Sequence, residues 1–275
     1  MAIRGTVFTS LCVAFFATTA GAEVLPLAQV PPAVQKGIAA QLANGTLGEI
    51  NREEEDGETT YTVEITKAGQ TRDYTLNESG TLVRMEVTLR ETPPAVQTAI
   101  QNFVGQGKIQ SIDKALDDEA VRYDVAWKNK DGADRTFSVQ ESGKLESVQV
   151  DLTETPPPVQ AAIAKEAGNG QVKEVVKSFE DNAVFYDVTV NRDGKDRDFT
   201  VAEGGKLESR QVFLAELPPP AQSSVQRVIG AGKLLRIDQV FDKKKGVFPF
   251  EVESLVDGKP YDFSIGPKGA FLGID

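Results

Sequence analysis

Apolar positions in this chain recur with two periods that take turns. Val34, Ile38 and Leu42 lie four residues apart, as do Val96, Ile100 and Val104, so each set falls on one helix face. Further on, Tyr61, Val63 and Ile65 alternate with polar residues, as do Tyr123, Val125 and Trp127, and Tyr186, Val188 and Val190. A period of two predicts strands with one buried face and one wet face. Prolines open each helical stretch, where a missing N–H is harmless because the first helical donors are unpaired anyway. Glycines such as Gly105 and Gly107, or Gly168 and Gly170, follow each helix and stop it. A first strand then carries Ile109 and Ile112, or Val172 and Val175. Asp131-Gly132, Asp193-Gly194 and Asp257-Gly258 predict reversals into a third strand holding Phe199 and Val201 or their equivalents. A turn such as Gln140-Glu141-Ser142-Gly143 leads to a fourth strand with Val148, Val150 and Leu152.

This unit is written four times. Pro31-Pro32-Ala33-Val34-Gln35 returns as Pro93-Pro94-Ala95-Val96-Gln97, Pro157-Pro158-Val159-Gln160 and Pro219-Pro220-Ala221-Gln222, at steps of 62, 63 and 62 residues. Behind each come a glycine (Gly45, Gly107, Gly170, Gly232), an aromatic (Tyr61, Tyr123, Tyr186, Phe250) and a second aromatic (Tyr74, Phe137, Phe199, Phe263). A Gly-x-apolar turn closes the unit at Gly80, Gly143, Gly205 and Gly269. The expected fold is α+β: four tandem modules, each one helix packed on a four-stranded antiparallel sheet. Their expected extents are 23–90, 91–153, 154–215 and 216–275, joined by short stiff proline segments that make neighbours pack.

Residues 1–22 stand outside this repeat. Arg4, an apolar run from Val7 to Ala17 and the small-x-small end Ala20-Gly21-Ala22 predict a secretory signal peptide. The run is too short to span a bilayer, and Thr9-Ser10-Leu11 before Cys12 does not make a lipobox. Cleavage removes Arg4 and the chain's one cysteine, leaving 253 of 275 residues and a formal charge of −12 instead of −11. An exported chain without disulfides is held by its cores alone. This predicts a bacterial periplasmic or secreted protein with no membrane association after cleavage.

The order of the Pro-Pro-x-Val-Gln helix, Gly107-Lys108-Ile109, Tyr186-Asp187-Val188, Asp193-Gly194-Lys195 and Gly205-Lys206-Leu207 resembles the PepSY-like family, also called putative β-lactamase-inhibitor-like. The resemblance runs through all four modules. It implies a helix on a four-stranded antiparallel sheet in an exported, non-enzymatic protein that binds or inhibits other proteins. The family offers no catalytic residues to transfer.

Composition narrows the chemistry. The absence of histidine removes Ser-His-Asp and Cys-His catalysis and His-ligated metals. No Ser-x-x-Lys precedes a catalytic-looking segment, and no spacing singles out a carboxylate pair among 41 acidic residues. Neither catalysis nor a cofactor is expected. The acidic balance, 41 against 30 basic residues, disfavours nucleic acid and anionic lipid as partners. The main expectation is a protein or peptide partner, met by sheet faces or grooves between modules. The alternative is a divalent or trivalent cation, calcium or lanthanide, held by carboxylates at the first hairpin tips. Its ligands would come from Glu53, Glu54, Glu55, Asp56, Asp117, Asp118 and Glu119, since hard cations need several converging oxygens. The competing reading is that such tips are charged to stay solvated. Glu180-Asp181 fill this place in the third module and Lys243-Lys244-Lys245 in the fourth. The stretch Asn191 to Asp198 fails the EF-hand pattern.

Arg72, Arg135 and Arg197 each stand two residues before the third-strand aromatic, on the core side of that strand. They read either as carboxylate-binding arginines or as strand-end arginines paired with an acid or a helix end. Trp127 shares the core parity, whereas Phe213 falls on the outward one. The wet faces should hold Thr62, Glu64 and Thr66 in module one and Asp124, Ala126 and Lys128 in module two. These are too small or too charged to offer aromatic anchors for tight inhibition.

Overall fold

The structure is a computed structural model that describes residues 23–55, 58–116, 120–180, 183–241 and 249–274. Contacts divide the chain into two compact units, one ending at Val148 and one beginning at Gln149. Among the described residues each unit contains two α-helices.

In the first unit a two-residue strand β1 (Glu23–Val24) precedes α1 (Pro32–Leu42) and strands β2 (Thr46–Glu55), β3 (Glu58–Lys67), β4 (Gln70–Asn77) and β5 (Leu82–Glu86). The pattern repeats as α2 (Pro94–Val104), β6 (Lys108–Leu116), β7 (Val121–Lys128), β8 (Asp134–Gln140) and β9 (Leu145–Gln149). Strands β1 to β9 pair in chain order, all antiparallel. The second unit holds α3 (Pro157–Ala167), β10 (Gln171–Glu180), β11 (Ala183–Arg192), β12 (Lys195–Ala202) and β13 (Leu207–Gln211). Then come α4 (Pro219–Ile229), β14 (Lys233–Val240), β15 (Phe250–Val256), β16 (Lys259–Pro260), β17 (Phe263–Ile265) and β18 (Phe271–Ile274). In this last module the third strand is broken into β16 and β17, which both pair with β15.

The four-fold repeat has a local cause at every step. Each helix starts with proline at its first position, and the motif glutamine ties it down. The Nε2 groups of Gln35, Gln97, Gln160 and Gln222 donate to the carbonyls of Val30, Thr92, Thr155 and Leu217 at 2.7–2.8 Å. Gly105, Gly168 and Gly230 end their helices at φ of 55–58°. The closing glycine has two reasons to recur. Gly80, Gly143, Gly205 and Gly269 sit at φ of 78–83°, and a Cβ there would meet the backbone of Ala33, Ala95, Pro158 or Pro220 in the first helical turn. The hairpin between β11 and β12 turns at Asp193 (φ 54°) and Gly194 (φ 78°), and that between β3 and β4 at Ala68 (φ 49°) and Gly69 (φ 79°).

Each helix packs on its own sheet segment and closes a separate core. Val34 and Ile38 meet Val63, Ile65 and Leu76 in the first, and Val96 and Ile100 meet Tyr123, Val125 and Phe137 in the second. Val159 and Ile163 meet Val188 and Val201 in the third, and Ala221 and Val225 meet Val252 and Phe263 in the fourth. This is the expected α+β array of helix-on-sheet modules. The sheet does not stop at the module edge, however. Strand β5 pairs with β6 over three rungs, from Arg84↔Ala115 to Glu86↔Asp113. Strand β13 pairs with β14 over three more, from Ser209↔Val240 to Gln211↔Asp238.

The wet-face expectation fails in module two. Asp124 and Ala126 are 1% and 3% exposed. Alternation fixes the face of a side chain but not its depth. β7 is an interior strand, and the carboxylate of Asp124 lies among other side chains. Its Oδ1 accepts from Ser138 Oγ at 2.6 Å and Arg122 Nε at 3.3 Å, and Arg84 Nη2 is 3.4 Å from Oδ2. Thr62, Glu64, Thr66 and Lys128 are half-buried. Trp127 lies on the core side as expected, edge-on to Phe103 and Phe137. Among the described residues no helix is long and apolar enough to cross a membrane.

Candidate functional site

Of the seven tip carboxylates, Glu53 and Glu54 have described side chains. Glu53 and Glu54 are exposed on β2, and Glu54 is 3.3 Å from Arg52 Nη2 on the same strand. Glu55 ends β2, with its side chain outside the described part, and Asp56, Asp117, Asp118 and Glu119 lie outside the described residues altogether. Glu180 ends β10, and Asp181 and the three lysines of module four are likewise outside. Among the described residues, no group of three or more acidic side chains is arranged to hold a metal ion.

The sheet faces away from the helices carry a different pattern. Register brings Glu64 opposite Asp73, Glu86 opposite Asp113, and Asp113 opposite Asp124, so five carboxylates cross β3 to β7 in one row. The row is a line rather than a cage. Asp113 is pushed up to about 6 by burial, with Arg84 opposing and Asp124, Glu86 and Asp73 reinforcing. Asp73 is raised by burial, then by Glu64 and Glu86.

The second unit neutralises the matching row. Arg236 stands one residue before the core residue Ile237, where the first unit has Ser111 before Ile112. Its guanidinium reaches Asp198 Oδ2 at 2.9 Å and both oxygens of Asp238 at 2.5 and 3.1 Å. Burial disfavours its charge, but Asp238 and then Asp198 outweigh that and hold the group above the ordinary arginine value.

Two of the recurring arginines are settled as structural partners of an acid. Arg72 reaches Glu91 at 3.0 Å and Arg197 reaches Glu216 at 2.9 Å. Both glutamates also cap a short 3-10 turn before the next helix, accepting from the N–H of Thr88 and of Phe213, each at 2.8 Å. Glu91 is accordingly held down to about 2, first by the Thr88 backbone and hydroxyl, then by Arg72. Arg135 occupies the equivalent place, across from Trp127. Phe213 is half-buried with the Arg197 guanidinium 4.5 Å from its ring centre.

Arg197 also borders a cleft of about 440 Å3 within the second unit, between modules three and four. That volume is in the range of small-ligand sites. Val190, Phe199, Val212 and Phe250 give it apolar walls, and Arg192, Arg197, Arg210, Glu166, Asp198 and Glu216 give it charged ones. Sequence reasoning missed Arg192 and Arg210. The available signal was the register of the repeat, which puts Arg210 beside Phe199 where Met85 stands beside Tyr74. The chain has no histidine, and its one cysteine, Cys12, lies before the modules.

Residues 17–84 match the family model described as "Putative beta-lactamase-inhibitor-like, PepSY-like". No curated protein gives a significant match. Among solved structures, a putative periplasmic protein of Bacteroides eggerthii is 20% identical, covering 44% of this chain and 88% of its own, with a TM-score of 0.35. A BLIP-like protein of Bacteroides fragilis is 20% identical, covering 42% and 82%, with a TM-score of 0.31. A protein of Bacteroides thetaiotaomicron described as "putative calcium-regulated" and periplasmic is 19% identical, covering 47% and 96%, with a TM-score of 0.31. Likenesses this low transfer no function. The export signal read at Met1–Ala22 lies outside the described residues. Residues 17–84 are thus similar to the PepSY-like family, and the same order of helix and strands recurs three more times in the rest of the chain.

Proposed function

We propose that this is an exported, non-catalytic binding protein that engages another extracytoplasmic protein or a peptide, as an inhibitor or a chaperone-like partner. The observation that carries the reading is the cleft between modules three and four, which combines apolar walls with three guanidinium groups. Binding sites pair a concave apolar surface with a few polar groups that fix orientation. The sheet faces away from the helices supply charged rather than aromatic side chains, which suits a charge-complementary partner more than a tight aromatic-anchored one. The rival reading, a calcium or lanthanide site at the hairpin tips, rests on seven carboxylates of which Glu53 and Glu54 have described side chains.

The test is affinity capture. The mature chain is immobilised and exposed to periplasmic extract at physiological salt, and each enriched protein is purified and titrated against the chain by calorimetry. A partner that binds the purified chain supports the reading. No enrichment over a charge-matched control overturns it. Calorimetry with calcium and a trivalent ion, run alongside, gives heat only if the cation reading holds.

A further inference from the structure

We infer that the cleft between modules three and four is a carboxylate site, built for an acid group carried on an apolar body. It rests on the reading that the chain is a binding protein, and it names the chemistry of what one groove takes.

The pairing of charges along the cleft is uneven. Arg210 Nη1 lies 3.2 Å from Glu166 Oε1, and Arg197 faces Glu216 with both terminal nitrogens, at 3.1 and 2.9 Å. Arg192 finds no carboxylate in that set. Its Nη2 donates to the carbonyls of Glu166 and Ala167 at the end of α3, at 2.6 and 2.9 Å. The carboxylate of Asp198, whose residue also borders the cleft, is engaged by Thr189 Oγ1 and Arg236, both at 2.9 Å. Three guanidinium groups therefore face two carboxylates, in a chain whose formal charge is −11. The buried Nε atoms of Arg192 and Arg197 have no hydrogen-bond partner.

Arg210 supplies the recognition edge. Its Nε and Nη2 both donate to Gln239 Oε1, at 3.1 and 2.9 Å. Those two parallel N–H groups form the edge that binds a carboxylate through both its oxygens. A single neutral amide oxygen now occupies it. An entering carboxylate would take the edge as a charged, two-oxygen acceptor. Its apolar body would lie against Phe199, Val212 and Phe250. The site is specific to this unit. At the same registers module one carries Lys67 for Arg192 and Met85 for Arg210, and Met85 packs against the core there. The free acid of a hydrophobic molecule and the C-terminal residue of a peptide share this chemistry.

The experiment is calorimetric titration of the whole chain, at physiological salt, with 3-phenylpropanoate and with acetyl-Ala-Ala-Phe bearing a free C-terminus. The matching amides are titrated beside them. The expected result is that at least one acid binds and its amide binds about tenfold more weakly or not at all. Which acid binds more tightly identifies the source. R210M should abolish the preference for the acid, and it carries the residue that module one tolerates at this register. Q239A should strengthen binding of the acid, a gain that misfolding would not produce. Equal binding of acid and amide, an affinity unchanged by R210M, or no heat with either acid overturns the site. A partner captured from extract that still binds the R210M chain would overturn the site while leaving the binding reading in place.

Discussion

Asp113→Asn should stabilise the first unit at neutral pH. Asp113 lies on β6 between Glu86 and Asp124, with Asp73 and Glu64 further along the row and Arg84 and Arg122 as the nearby cations. Burial is the largest cause of its displacement, from 3.8 to about 6. A folded-state value above the unfolded one means that the native chain binds more protons between those limits. Stability is therefore highest below the unfolded value and falls as pH rises through the folded one. At about 1.4 kcal/mol per pH unit, the ceiling is about 3 kcal/mol of lost stability at pH 7. Partial exposure and screening bring the expected figure nearer 1–2 kcal/mol. Asparagine keeps the size and removes the charge. Trp127, the chain's only tryptophan, lies in the core under β7 and pairs with Ile109 of β6, so its fluorescence reports this region. In urea at pH 7.5 the variant's Trp127 transition should move up by about 1 M. Wild-type stability should rise as pH falls from 7.5 to 5, narrowing the gap by about half. Asp73, raised by the same mechanism, leaves the variant a smaller slope of the same sign. A gap that is the same at pH 7.5 and 5, or a variant less stable than wild type at pH 7.5, would refute the reasoning.

Three further outcomes follow from the same geometry. Glu91→Gln weakens a capping contact and the Arg72 pair, and should cost about 0.5–1 kcal/mol by urea denaturation. Because Glu91 is held down to about 2, its contribution is complete above its unfolded value and lost as pH falls from 4.5 toward 2. Gly143→Ala should lower the Trp127 midpoint more than Gly132→Ala. Both sit near φ of 84°, but only Gly143 has backbone against its Cβ position; about 2–4 kcal/mol against about 1 is expected, and equal losses would remove the packing argument. Ile100→Ala, at a fully buried position, should cost about 2–5 kcal/mol in the Trp127 transition, and a loss below about 1 would show that α2 does not hold that core.

The repeat, the helix boundaries and the four cores were legible in the amino-acid sequence because each rests on local chemistry. Proline at a first helical position, glycine at a positive φ and an alternating strand need nothing from distant residues. Even a bulge left its mark. Ile109 and Ile112 are three apart, an odd spacing that can share one strand face only if a residue is inserted, and the β6–β7 register shifts between Ile109 and Ser111. The same spacing and shift recur at Leu47/Ile50, Val172/Val175 and Leu234/Ile237. Tertiary structure alone decided what depends on register between strands far apart in the chain. The sharing of one sheet by β5 and β6, the carboxylate row from Glu64 to Asp124, the burial of Asp124 and the meeting of Arg192, Arg197 and Arg210 are of this kind. Each requires knowing which residue lies across from which. Cross-strand neighbours about 5 Å apart in space can be tens of residues apart in sequence, so composition and periodicity name the face of a side chain but not the company it keeps there.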